Sequence, residues 1–312
     1  GEEINSDPQQ RPQRYVIYLS DVAEEPDLLQ WPDLLTIVES KVKPERLRLG
    51  SNPNNIPLKK RWWAYQAHRP ELYASLASKT RALCLSSVGQ ALAFAFVPTN
   101  IIYSHAVVVL DLDSNASFSV LQCRFHEVWA RFLASSMKDD LRYTPSDCFE
   151  TFPFPDGFEV NQALEEAGHV YYEYRAALMA KNNEGLTKTY NRFHNPEERS
   201  PEIQKLRDLH TAMDRAVLDA YGWMDLMPTC DFLLDYEDEE EDEEGGGRKR
   251  KKPWRYRWPD VFRDEVLARL LALNQERAEA ERLTGGTAGG NAKRGKGGPR
   301  KLKAPQITRS LF

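Results

Sequence analysis

Metal, phosphoryl and methyl-transfer chemistry each demand particular residue types at particular spacings, and several stretches of this 312-residue sequence come close to one of them. His126-Glu127 opens the HExxH pattern of a zinc hydrolase, but the fifth position is Ala130, so the second imidazole needed one turn along is absent. Pro26-Asp27 together with Glu39-Ser40-Lys41 offers two carboxylates and a lysine, a set that can hold magnesium and assist an attacking water. That use needs a β-hairpin, whereas Leu34 to Val42 has helical periodicity. The run GNAKRGKG at 290–297 has phosphate-loop spacing but ends in Gly297, where a hydroxyl must ligate magnesium, and no apolar strand precedes it. There is no GxSxG elbow, and His68, His105, His169, His194 and His210 lack ligand spacing. Asn52-Pro53-Asn54-Asn55 lacks the second proline and the aromatic residue that would hold a flipped adenine. The residues supply no catalytic and no metal-ligating set, so the chain reads as a binding protein.

Composition fits that reading. With 41% hydrophobic and 11% aromatic residues the chain can bury a substantial core. The net charge of −5 hides an asymmetry: Asp235 to Glu244 contributes nine acids and no base, leaving +4 on the rest. Cys84, Cys123, Cys148 and Cys230 form no CxxC pair and read as reduced thiols. No run approaches the ~20 apolar residues of a membrane span, and the N-terminal stretch lacks the features of a secretory signal, which predicts a cytoplasmic location. A start at Gly1 within a polar stretch suggests the downstream part of a longer protein.

The elements that must position any binding residues are legible from periodicity. RYVIYLS at 14–20 has strand composition, and Leu34, Leu35, Val38 and Val42 mark a helix that ends at Pro44. A polar loop spans 50–60. Between Arg81 and Asp113, short apolar runs broken at Gly89-Gln90 and Pro98-Thr99-Asn100 predict a sheet of at least three strands. Phe118, Leu121, Phe125, Val128, Trp129, Phe132 and Leu133 then place one long helix on that sheet. Beyond Pro155 a stripe from Val160 to Leu178 gives a helix, and a second runs from the Ser200-Pro201 start to Gly222, the two able to form an antiparallel hairpin. A further helix covers about 259–282. The expected fold class is α+β: a small β-sheet recognition domain (1–156) packed on a long helix, a mainly helical region (157–282), and a flexible, disordered basic tail (283–312). The helical region carries a disordered acidic and basic insertion at about 235–252, read as a solvated loop, with DNA mimicry as the alternative.

Seven segments in one order carry a resemblance: NSDPQQRPQRYVIYLSD (5–21), VKPERLRL (42–49), RWWAYQAHRPELYASL (61–76), LQCRFHEVWARFLASSMKDDLRYTPSDCFETFPFP (121–155), LTKTYNRFHNP (186–196), LHTAMDRAVLDAYGW (209–223) and RYRWPDVFRDEVLARLLALNQER (255–277). Together they resemble the C-terminal target-recognition and helical region of large adenine-specific (N6) DNA methyltransferases of type IIG-like restriction–modification and phage-defence systems. The resemblance implies sequence-specific binding of double-stranded DNA. It also implies S-adenosylmethionine in an upstream methyltransferase domain, on the same polypeptide or a separate subunit, and no cofactor on this chain. The family's catalytic motifs have no counterpart here, so no catalytic residue is carried over.

DNA affinity needs cations against phosphates, and sequence readout needs polar side chains at base edges. Phosphate candidates are Lys59, Lys60, Arg61, Arg69, Lys138 and Arg142; base-reading candidates are Asn52, Asn54, Asn55, Gln66, His68, Gln122, Arg124 and His126. Trp62 and Trp63 are expected in the core rather than stacked on bases. The six-cation tail at 285–303 is expected to add salt-sensitive, sequence-independent affinity. Two alternatives stay open at this point: a stand-alone specificity or adaptor subunit recruiting a separate methyltransferase or nuclease, and a protein-interaction scaffold.

Overall fold

A computed structural model describes residues 1–66, 68–137, 140–234 and 253–283. The chain opens with α1 (Glu2–Ser6), α2 (Pro32–Lys41), α3 (Lys43–Arg48), α4 (Ile56–Lys60) and α5 (Pro70–Leu76). A strand-rich stretch follows: β1 (Arg81–Ser86), β2 (Val88–Gly89), β3 (Ala95–Pro98) and β4 (Val107–Leu110). Then come α6 (Asn115–Gln122), α7 (Arg124–Leu133), β5 (Ser135–Met137), β6 (Asp140–Arg142) and α8 (Pro145–Cys148). The helical region comprises α9 (Gln162–Asn182), α10 (Leu186–Phe193), α11 (Pro201–Ala220), the hairpin β7 (Asp231–Leu234) and β8 (Trp254–Arg257), and α12 (Asp260–Leu283). The architecture is α+β. Residues 1–274 form one compact unit; a second begins at Gln275, and its described residues are the end of α12.

The main sheet has the antiparallel order β3-β1-β4, with Leu83 opposite both Phe96 and Leu110. Ala82 to Leu85 are all buried, which is why β1 reads as a continuous apolar run instead of an alternating one: it is the central strand and is covered on both faces. Two smaller sheets pair β2-β6-β5 and β7-β8. The apolar runs between 81 and 113 thus become strands as expected.

Helix limits follow local capping. Ser200 Oγ accepts from the Ile203 amide at 3.4 Å with Pro201 in the first turn of α11, and Gly222 lies just past its end at φ +72°. Asn161 Oδ1 accepts from the Ala163 and Leu164 amides and starts α9. Rings of Tyr171 and His210 meet at 5.2 Å, and Lys181 reaches Glu202 at 3.2 Å, so α9 and α11 run antiparallel as the expected hairpin. Pro44 ends α2 by falling in the first turn of α3, where its missing N–H costs nothing.

Four expectations are corrected. Residues 14–20 are irregular, not a strand: the Ser20 and Val22 carbonyls are taken by the Arg61 guanidinium and the Ile17 carbonyl by the Tyr65 hydroxyl, in place of a ladder. The polar loop at 50–60 winds into a short 3-10 turn and α4. The single long helix over 118–133 is two helices, broken at Cys123, whose ψ of 164° turns the chain out of helical geometry. Finally, α10 and the β7-β8 hairpin carry no clear periodicity and were not expected. The insertion at 235–252 and the tail from 284 lie outside the described residues.

Two clusters share the core. One joins the main sheet to α6, α9, α10 and α11; the other joins α7, α12 and the end of α11 around Phe152 and Phe158. In the FETFPFP segment the ring centroids of Phe152 and Phe154 lie 5.1 Å apart and those of Phe154 and Phe158 4.8 Å apart, while the Tyr221 hydroxyl donates to the Pro153 carbonyl at 2.9 Å. The link is packed through its aromatic rings. Trp62 and Trp63 are buried in a third, small cluster with Leu19, Leu28 and Val38.

The tightest contact in this arrangement is between α6 and α9. Glu165 accepts from Asn115 Nδ2 and the Ala116 amide, both at 2.7 Å, placing a carboxylate at the N-terminus of α6. Ser119 Oγ donates to the Leu164 carbonyl at 2.6 Å. Gly168 permits this approach, because a Cβ there would collide with the Asn115 carbonyl and Ser119 Oγ. Gly168→Ala should therefore destabilise the protein by about 1–3 kcal/mol through overpacking. An unchanged thermal midpoint would show that the two helices do not approach so closely.

Candidate nucleic-acid interface and the buried junction behind it

The polar candidates between residues 52 and 69 lie on the 3-10 turn, on α4 and on the chain leading to α5. Asn52 Oδ1 accepts from the Asn54 amide at 3.0 Å and Asn55 Nδ2 donates to the Gly50 carbonyl at 3.2 Å, so this loop holds its own shape. Lys60, Gln66 and Arg69 are exposed, and Lys59 is half-buried. His68 Nε2 lies 3.0 Å from Asp21 Oδ1. Arg61 is otherwise committed: its Nη2 donates to the Ser20 and Val22 carbonyls at 2.7 and 2.9 Å, which removes it from the phosphate-contact set. Arg142 is exposed on β6, whereas Lys138 lies outside the described residues.

Three base-reading candidates are placed differently from expectation. Gln122, Arg124 and His126 are 3%, 3% and 0% exposed, too deeply covered to reach a duplex. Gln122 fixes the irregular chain before β3, accepting from the Phe94 amide and donating to the Leu92 carbonyl, each at 2.9 Å. His126 Nε2 lies 2.9 Å from the Tyr143 hydroxyl, with its ring 4.6 Å from that of Phe152. Arg124 Nη1 meets Asp214 Oδ2 at 2.5 Å and His210 Nδ1 at 2.9 Å. Its carboxylate partner lies 90 residues along the chain.

Asp214 does more than neutralise Arg124. Its Oδ1 accepts from the Arg124 backbone amide at 2.9 Å, capping the N-terminus of α7 from α11 because Cys123 provides no side-chain cap. Burial alone would raise the Asp214 carboxyl, but the Arg124 charge, helped by His210, outweighs it and holds the carboxyl below its ordinary range. His210 and His194 are lowered, first by burial and then by neighbouring arginines. Burial alone brings His126 down to about 3. These imidazoles are neutral structural groups. Cys84, Cys123 and Cys148 are also buried, and burial pushes the Cys84 thiol up to about 12, leaving it inert as a nucleophile.

Sequence reasoning missed Arg175 and Arg207. Arg175 Nη2 donates to the Phe94 carbonyl at 2.6 Å and its Nη1 to the Tyr190 hydroxyl at 2.9 Å, within a box of Phe118, Tyr171, Tyr172 and Tyr190 rings. Arg207 donates to the carbonyls of Arg192, Phe193 and Asn195, closing the C-terminus of α10. The available signal was a charge within a buried stripe: Arg175 falls between Tyr171 and Leu178, and Arg207, His210 and Asp214 share one face of α11.

An α+β recognition module, keyed through its interior into a helical region and presenting polar and basic residues between 52 and 69, is the class these observations define. Residues 6–156 match the model of the family described as the target recognition domain of MmeI. Among solved structures the chain is similar to the type IIL restriction-modification enzyme MmeI in complex with DNA, with a TM-score of 0.56 and 20% sequence identity. The match covers 89% of this chain and 30% of that one, so the chain spans about a third of the enzyme's length. No curated protein matches. Among the described residues no group of three or more His, Cys, Asp or Glu could hold a metal ion, and no helix is long and apolar enough to cross a membrane.

Two outcomes follow for the junction. Arg124→Met leaves Asp214 charged and buried without its partner, which should cost about 3–5 kcal/mol in urea unfolding, and adding Asp214→Leu should restore some of the loss. Single and double variants of equal stability would rule out the pairing. The buried imidazoles set a pH dependence. Folded His126 stays neutral down to about pH 3, while in the unfolded chain it takes up a proton below about 6.5. The unfolded state then binds more protons, so stability falls as the pH drops from 6.5 towards 3. His126→Phe should flatten the dependence of the urea midpoint on pH in that window.

Proposed function

We propose that this chain is the specificity portion of an S-adenosylmethionine-dependent adenine-N6 DNA methyltransferase in a restriction–modification or phage-defence system, binding double-stranded DNA in a sequence-dependent way. The observation that carries the reading is the match of residues 6–156 to the MmeI target recognition domain. Residues 1–156 are taken as the recognition domain and 157–282 as the helical support behind it. Asn52, Asn54, Asn55, Gln66 and His68 are the base-reading candidates that remain on the surface, with Lys59, Lys60, Arg69 and Arg142 as phosphate contacts. Holding the duplex in register is what such a module contributes when an enzyme turns a base out of the stack.

The described residues hold no set that fits the cofactor. A methyl-donor site needs a glycine-rich turn leading from a strand into a helix, whereas Gly89 leads from β2 into an irregular stretch and then β3. On this reading S-adenosylmethionine belongs to a methyltransferase portion outside residues 1–312, and methyl transfer is not a property of this chain alone.

Selection of duplexes from a random library by the 312-residue chain should enrich a single short motif. Its affinity should fall steeply with salt, and Lys60→Ala or Arg69→Ala should each weaken binding across all sequences and reduce the salt slope by about one. Failure to enrich any motif at low salt would sink the DNA-reading proposal.

A further inference from the structure

The segment Arg14 to Tyr18 has the composition of a β-strand, Arg-Tyr-Val-Ile-Tyr, yet has no strand partner among the described residues. It is irregular, and among the described residues the amides of Tyr15, Val16, Ile17 and Tyr18 donate to nothing. Of the carbonyls from 14 to 18 only that of Ile17 accepts, from a side-chain hydroxyl. Tyr15 is 104% exposed and Val16 52%, a large apolar surface facing water. Alongside lies an open groove of about 580 Å³, with Tyr15, Val16 and Ile17 among its lining residues and Ile37, Val42 and Leu49 contributed from α2, α3 and their flanks. Lys41 and Arg46 also line it against a single acid, Glu45.

Local sequence and tertiary surroundings disagree here, and a strand-forming stretch with free backbone groups is a template for another chain. We propose that residues 14–18 are a docking edge that takes up an extended polypeptide segment by backbone pairing, its apolar side chains entering the groove beside α2 and α3. The row of free amides and carbonyls decides the class of occupant: only a polypeptide backbone supplies donors and acceptors at the matching repeat. The lysine and arginine of the groove ask for an acidic residue in that segment. The segment belongs to the methyltransferase portion that accompanies this chain, because the similar enzyme holds more than two-thirds of its polypeptide outside the matched region. In this the inference rests on the function proposed above.

Amide hydrogen exchange of the 312-residue chain tests it, read at low and high protein concentration, with a mixed-sequence duplex, and with the methyltransferase portion of the same enzyme added as a separate protein. The amides of 15–18 should exchange freely alone and become protected only with the methyltransferase portion. Protection that grows with the chain's own concentration assigns the edge to a second copy, protection by the duplex assigns it to DNA, and no protection in any arm leaves no docking edge; each overturns the proposal. Val16→Pro removes one donor that bonds to nothing in this structure, so the fold should be unchanged by circular dichroism while binding of the methyltransferase portion weakens roughly tenfold. Motif enrichment without protection of 15–18 removes the docking edge and leaves DNA reading intact. Protection without enrichment does the reverse.

Discussion

Arg124 and Asp214 form an ion pair with no exposure to speak of, and much of the architecture answers to it. Two charges out of water are tolerated only when nearly every polar atom finds a partner, and this pair draws His210 and the first amide of α7 into the arrangement. The same carboxylate therefore cancels a charge and caps a helix. At the break at Cys123 the Arg124 amide, the first of α7, is taken by Asp214.

A second polar contact ties the sheet itself to the helices. Gln122 and Arg175, from α6 and α9, share Phe94 between them, holding the irregular chain before β3 where no ladder could. A guanidinium here has no carboxylate, and neutral oxygens and aromatic faces take its place. Together with Arg124–Asp214 it fuses the recognition domain and the helical region into a single interior.

Solvent-facing polar residues tell a different story. Asn52 to Asn54 and Asn55 to Gly50 shape the turn at 50–55 locally, whereas Arg61, Trp63 and Tyr65 anchor the following residues to Ser20 and Val22. The exposed residues of the turn, Asn52 and Asn54, can change without disturbing the core behind them. Three of the eight base-reading candidates fell inside the protein because helical periodicity alone does not say which polar positions of α6 and α7 face another helix.

What the sequence determined by itself was whatever depends on near neighbours. Asn161, Ser200-Pro201 and Gly222 mark helix ends because caps are satisfied within a few residues, and the apolar runs after Arg81 mark strands because their burial is written in composition. The missing ligand at Ala130 and the missing hydroxyl at Gly297 were equally local. Tertiary structure alone decided where the buried charges went, since Arg124 finds Asp214 90 residues away and Arg175 finds a carbonyl 81 residues away. It also decided that 14–20 is not a strand here. A helix carries its hydrogen bonds within itself, but a strand exists only when another chain segment lies beside it, and no local pattern reports whether one does.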